Sequence, residues 1–304
     1  MKPHYVIDRE TGKKIEEITF GEKAIRFLYG KGKTGAFIAF LAARLPLVSA
    51  FYGWLKKRPA SKKQVLPFIE KFKVDTKPFI KKPEAFTSFN DFFIRKLKSE
   101  ERPLASSSAI CPVDGRYLFY PDISQAQGFW IKGEKFCLKE FLQDEKLAEA
   151  FEEGTLILAR LAPPDYHRFH FPVDGIPKKS RLINGYLYSV NPLALKKDIH
   201  ILSQNKRRLT EIESPLFEKV LMIEVGATNV GSIHETYTPD QPVKKGDEKG
   251  VFGFGASLVA LLFKPKMLEL APDLLKASSE GLEILCKMGQ SVGNHYENIK
   301  SCIK

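Results

Sequence analysis

Residues 250–263 read GVFGFGASLVALLF: three glycines, an alanine and a single serine stand directly before a run of large apolar side chains. Glycines beside an apolar run predict a sharp bend feeding a buried strand. The same pattern admits a second reading, in which Ser257 is placed to do chemistry.

Outward from this stretch, Pro and Gly recur at short intervals between β-branched and aromatic runs from about residue 103 onward. Segments 154–163 (GTLILARLAP), 180–190 (SRLINGYLYSV) and 219–237 (KVLMIEVGATNVGSIHETY) read as strands, the last as two strands broken around Gly226 or Gly231. The closing EGLEILCKMGQSVG (280–293) reads as an amphipathic helix. Upstream, residues 1–34 predict a strand or hairpin turning at Thr11-Gly12, then a short helix. Helical spacing recurs in 61–74 and 81–98, with Ser88 or Asn90 as N-cap. The pattern divides the chain into a basic, helical region at 1–102 and a β-rich domain at 103–304, an α+β protein.

Of 304 residues, 43% are hydrophobic and 28% charged, which excludes general disorder. The net charge of +12 is unevenly placed. Residues 1–102 hold 23 Lys and Arg against 11 Asp and Glu, and the remainder holds 25 of each sign. Such a basic end suits a polyanionic surface, nucleic acid or anionic lipid. No RNA-binding or zinc-finger motif accompanies it, and the neighbouring residues favour lipid. GAFIAFLAARLPLVSAFYGWLKKR (35–58) is apolar and aromatic, but Arg44 and Pro46 interrupt it short of the roughly 20 residues that a span requires. It reads as one or two helices in the membrane interface, with Tyr52 and Trp54 at headgroup depth and Lys56, Lys57 and Arg58 on phosphates. The competing reading packs these helices on the protein's own core. The acidic residues among the first thirty argue against a cleaved signal peptide.

Cys111, Cys137, Cys286 and Cys302 are scattered, which favours reduced thiols over disulfides or a zinc site. His167 and His170 stand three apart in LAPPDYHRFHFPVDG (161–175). Asp165 alone could join them as a ligand, so no metal is expected. Asp114 in CPVDGR reads by default as a turn residue and His234 as a strand residue.

Taken together, SFNDFFIRKL, CPVDGR, LAPPDYHRFHFPVDG, NGYLYSVNPL, VGATNVGSI and KKGDEKGVFGFGAS resemble the phosphatidylserine decarboxylase family in order, spacing and surroundings. The resemblance runs from about residue 85 to CKMGQSVG, and the opening YVIDRETGK looks like the chlamydial branch. It implies a chain that cuts itself between Ala256 and Ser257, leaving a pyruvoyl group at residue 257 as the covalent cofactor. Asp114 and His170 would activate Ser257, and His167 would serve the decarboxylation. The physics agrees: a serine hydroxyl needs a base to take its proton and a third group to orient that base. The resemblance further implies phosphatidylserine as substrate, cleaved chains that stay associated, and a peripheral place on the cytoplasmic side of the cell membrane. It leaves a homo-oligomer open and gives no role to nucleic acid.

The chain departs from the family at the cut. Members read Gly-Ser-Thr or Gly-Ser-Ser, and the nearer branch Gly-Gly-Ser-Thr, where this chain has Gly255-Ala256-Ser257-Leu258. Ala256 narrows the backbone's options and Leu258 removes a hydroxyl, so slower processing is expected. Two other readings follow: an unprocessed, catalytically silent membrane-binding homologue, and a serine hydrolase acting on an external ester.

Overall fold

The structure, a computed structural model, describes residues 4–18, 20–30, 32–125, 136–227, 233–255 and 257–296. Ala256 and Cys302 lie outside the described residues, as do Thr228 to Ser232 of the VGATNVGSI motif. The hairpin expected at the start is β1 (Tyr5–Asp8) and β2 (Lys14–Glu16). Helices α1 (Glu22–Tyr29), α2 (Lys33–Arg44), α3 (Pro46–Lys57) and α4 (Val65–Phe72) follow. The helix expected over 81–98 contracts to α5 (Phe89–Phe93), whose N-cap Ser88 accepts from the Asp91 amide at 3.1 Å.

Beyond it run β3 (Ala109–Ile110), β4 (Gly115–Tyr120), β5 (Thr155–Leu161), β6 (Arg168–His170), β7 (Ile176–Pro177) and β8 (Arg181–Ile183). Then come β9 (Arg207–Ser214), β10 (Glu218–Gly226), β11 (Ile233–Glu235), β12 (Glu248–Phe252) and β13 (Ser257–Phe263). The chain closes with β14 (Leu268–Leu270), β15 (Glu283–Cys286) and β16 (Ser291–His295).

Ten of these strands form one sheet in the order β2-β1-β15-β4-β5-β13-β10-β9-β7, with β8 also on β9. A three-stranded sheet, β11-β12-β6, and another, β14-β16-β3, accompany it. Every residue of β13 is buried, and successive side chains alternate between two cores. Val259, Leu261 and Phe263 join Phe169 and Phe252 of the small β11-β12-β6 sheet. Leu258, Ala260 and Leu262 meet Phe141, Leu195 and Leu202 on the opposite face. Each fully buried side chain of this size contributes about 1.5–3 kcal/mol.

The fold is thus α+β, and among the described residues no helix is long and apolar enough to cross a membrane. The closing segment corrects one expectation. Residues 283–286 and 291–295 are strands rather than a helix. Ile284 and Cys286 alternate into the first core, and β15 lies between β1, which it pairs in parallel, and β4. Likewise only Arg181–Ile183 of the segment 180–190 is strand.

A buried ionic network fastens the N-terminal hairpin to this end of the sheet. Arg160 on β5 reaches Glu17 (2.8 Å) and Glu283 (2.6 Å), and Arg116 on β4 reaches Glu17 (2.6 Å) and Asp165. Removing one member of such a network costs about 3–5 kcal/mol, because its partners stay buried without a countercharge. A third core, of aromatic side chains from α4 and α5, receives Phe254 from the segment that precedes Ser257.

Candidate active site

Ser257 is the first residue of β13 and pairs with Leu161 on β5 and Gly226 on β10. It is fully buried, and its Oγ has no hydrogen-bond partner. The approach is a tight one. Gly255 has φ 142°, a backbone conformation that side chains resist. At Gly250 a Cβ would stand 2.4 Å from the His234 carbonyl and 2.5 Å from the Phe169 ring. Phe254, between them in the chain, is wedged against Phe93 (4.9 Å between centroids) and Phe89 (5.2 Å).

His167 lies next to this point. Its Nε2 donates to the carbonyl of Ala162, one residue beyond Ser257's strand partner Leu161, at 3.1 Å. A carbonyl only accepts, so Nε2 carries the proton and Nδ1 the lone pair. That Nδ1 is buried without a partner. The ring stacks on Phe93 at 3.8 Å. Burial, and secondarily the charge of Arg95, hold its pKa well below the usual histidine value.

His170 sits one position past Phe169 and turns to the other face of β6. Its Nδ1 donates to Gly246 O at 2.9 Å, which leaves Nε2 to accept from the Tyr166 hydroxyl at 3.1 Å. Burial lowers its pKa as well. The CPVDGR turn is adjacent, since the His170 amide donates to Pro112 O at 2.9 Å. The Asp114 carboxylate is held by Arg102 (Nε to Oδ1, 3.0 Å) and by the Met288 amide (2.8 Å). The structure therefore brings Asp114 and His170 into one neighbourhood, yet their side chains bond to other groups. His167 and Ser257, by contrast, each keep a free polar atom.

Two cavities flank the turn at residues 162–165. One, of about 200 Å³, is lined by Ile18, Ala24 and Leu28 on one side and by Ala162, Phe254 and Gly255 on the other. The second, of about 360 Å³, opens on Asp114, Arg102, Arg95 and Tyr166. Asp165 shapes the wall between them: its Oδ2 accepts from the Ala162 amide at 2.6 Å and pairs with Arg116. Sequence reasoning treated Asp165 only as a possible ligand and missed Tyr166, Arg116 and Glu17. Both Asp165 and Tyr166 lie inside the DYHRFH string, which was the available signal. The three-membered group His4, Glu17 and Glu283 has metal-ligand spacing, but Arg160 and Arg116 occupy its carboxylates.

Comparison with known proteins matches residues 89–294 to the family described as phosphatidylserine decarboxylase. The chain is 47% identical to a phosphatidylserine decarboxylase proenzyme of Chlamydia caviae, over 96% of this chain and 98% of that one. Similar proenzymes of Chlamydia pneumoniae (47%, covering 96% and 97%) and Chlamydia felis (44%, covering 96% and 98%) match equally far along the chain.

The two histidines give a direct test. Because burial disfavours their charged forms, the unfolded chain binds these protons first on acidification, and the two rings lower stability below a pH of about 6.5. In a Ser257→Ala chain, nitrogen-15 spectra should show His167 as the Nε2–H tautomer and still neutral at pH of about 6. A His167 midpoint at the ordinary value of about 6.5 would contradict the buried placement.

Proposed function

The chain belongs to the phosphatidylserine decarboxylase family, and from that membership we infer that it converts phosphatidylserine to phosphatidylethanolamine and CO2. The observation that carries the reading to this chain's own residues is the Ser257 hydroxyl. It is buried and unpartnered, at the mouth of a strand and beside an apolar cavity that Gly255 helps to line. A buried hydroxyl without a partner costs about 1–3 kcal/mol, so a purely structural position would favour alanine there. Self-cleavage between Ala256 and Ser257 gives the residue its task, and the site fits the pyruvoyl group that would result. That group supplies a carbonyl able to take up the electrons released as CO2 departs.

In this reading Asp114 and His170 activate Ser257. The Nδ1–H of His170 is already fixed by Gly246 O, which aims the Nε2 lone pair, and Tyr166 must yield that lone pair to the serine. His167 needs no such exchange. Burial keeps the ring neutral, and its unpartnered Nδ1 is the atom that would pick up a proton and return it to the substrate carbon after CO2 leaves. Leu258 bears on the silent-homologue alternative. It packs into the core on the far face of the sheet, away from Ser257, so a hydroxyl at that position would not enter the site. The external-ester reading suffers from the complete burial of Ser257.

After cleavage the chains 1–256 and 257–304 would remain together. The smaller supplies β13 between β5 and β10 and β15 between β1 and β4, so its loss would open the sheet twice. On the N-terminal helices, Phe37 of α2 and Phe51 and Trp54 of α3 are exposed, at 61%, 60% and 50%. Lys56, Lys57 and Arg58 stand beside them. An anionic, cytoplasm-facing bilayer surface fits this pairing of aromatic and basic side chains. Helix α1 runs from this region along the cavity that reaches Gly255 and gives a lipid a covered path inward.

Purified protein mixed with phosphatidylserine vesicles should release CO2, and Ser257→Ala should release none. His170→Ala should stay a single chain, whereas His167→Ala should still cut but turn over at least about 100-fold more slowly. The reverse pattern would assign the base to His167, and no CO2 from the wild type would sink the reading. In flotation assays the chain should rise with anionic vesicles and lose most of that binding in Phe51→Ser/Trp54→Ser. Unchanged flotation would place the membrane contact elsewhere.

A further inference from the structure

Between the large sheet and the small one, the apolar layer is interrupted by a strip of polar groups that none of the steps above employs. Lys249 on β12 is fully buried, with its Nζ 2.8 Å from Glu224 Oε1 and 3.3 Å from Glu235 Oε1. Its ammonium also lies over the rings of Phe169 (5.4 Å) and Tyr237 (5.2 Å). The register of β12 shifts between Glu248 and Gly250, and this irregularity turns Lys249 inward while Glu248 reaches Arg168 on the other side. Glu235 has further partners in Arg208 (2.9 Å) and Ser180 (2.6 Å). Among the described residues Lys249 is the one cation within ion-pair distance of Glu224, and burial raises that carboxyl's pKa to about 7 in spite of it.

The location is what matters. On β10, Gly226 stands opposite Ser257 and Glu224 opposite Val259. Directly opposed residues share a face and residues two apart return to it, so Glu224 and Ser257 are neighbouring positions on one face, within reach of a long side chain. Lys249 belongs to the strand that runs through Phe252 straight into Gly253–Gly255. The ion pair thus joins the segment before the Ala256–Ser257 bond to the strand beside the residue after it. Architecture alone does not call for charges here, since buried ion pairs can be replaced by apolar side chains with no loss of stability.

We infer that Lys249 and Glu224 are positioning residues for the chemistry at Ser257: their ion pair sets where β12 sits over β10, and so aims the Ala256–Ser257 bond at the groups that act on it. This rests on the self-cleavage reading. The test is the double variant Lys249→Met/Glu224→Leu, compared with the wild type by thermal unfolding and by intact mass over time. The expected result is a melting temperature equal to or above that of the wild type, with cleavage slowed by about 10- to 100-fold. The fraction that does mature should show a lowered kcat with KM unchanged. A double variant that cleaves and turns over as the wild type does overturns the inference while leaving the self-cleavage reading intact. A wild type that itself stays whole overturns both. Should the double variant fail to fold, Glu224→Gln keeps a hydrogen-bonding group beside Lys249. Slowed cleavage in that folded protein supports the assignment, and wild-type cleavage overturns it.

Discussion

The pairing of β13 between β5 and β10 is the constraint on which the rest of the structure depends. A strand buried on both faces, with its ladder filled on both sides, has no freedom of register. Its first residue is therefore fixed in space, and that residue is Ser257. The glycine-rich segment ahead of it must leave the small sheet, cross to the large one and enter β13 within five residues, which explains the positive φ at Gly255. Ser257, fixed at the head of β13, is thereby presented in one geometry.

The N-terminal region is built into the same arrangement. Phe254 is a member of the aromatic core formed by α4 and α5, and Lys56 of α3 lies 5.4 Å from its ring. Glu17, just past the first hairpin, joins Arg160 and Arg116, and Arg116 reaches Asp165 in the turn that carries His167. The elements proposed to meet the membrane are thus in direct contact with those that hold the reactive segment.

Local pattern made part of this legible. The split of 219–237 into two strands around Gly226 or Gly231, the hairpin at Thr11-Gly12 and a cap at Ser88 or Asn90 follow from short-range turn and capping chemistry. The structure shows the two strands, the hairpin and, of the two caps, Ser88. The strand at β15 did not follow, because its partners β1 and β4 come from distant parts of the chain and a short run such as EILC fits a helix turn equally well. Within the site, the residue types Ser, His and Asp were readable, but their partners were not. Tyr166 and Gly246 on His170, and Arg102 on Asp114, are contacts that only the folded chain creates. The buried Lys249 was hidden for a similar reason: the β-irregularity that turns it inward leaves no mark in an otherwise polar KKGDEKG.

The central claim is that this fold exists to break and then use one bond. Intact mass of the freshly purified protein under denaturing conditions tests it most directly. The account predicts two chains, residues 1–256 and residues 257–304, the second lacking a free amine at its N-terminus. A single chain of 34.4 kDa that persists through prolonged incubation would contradict it.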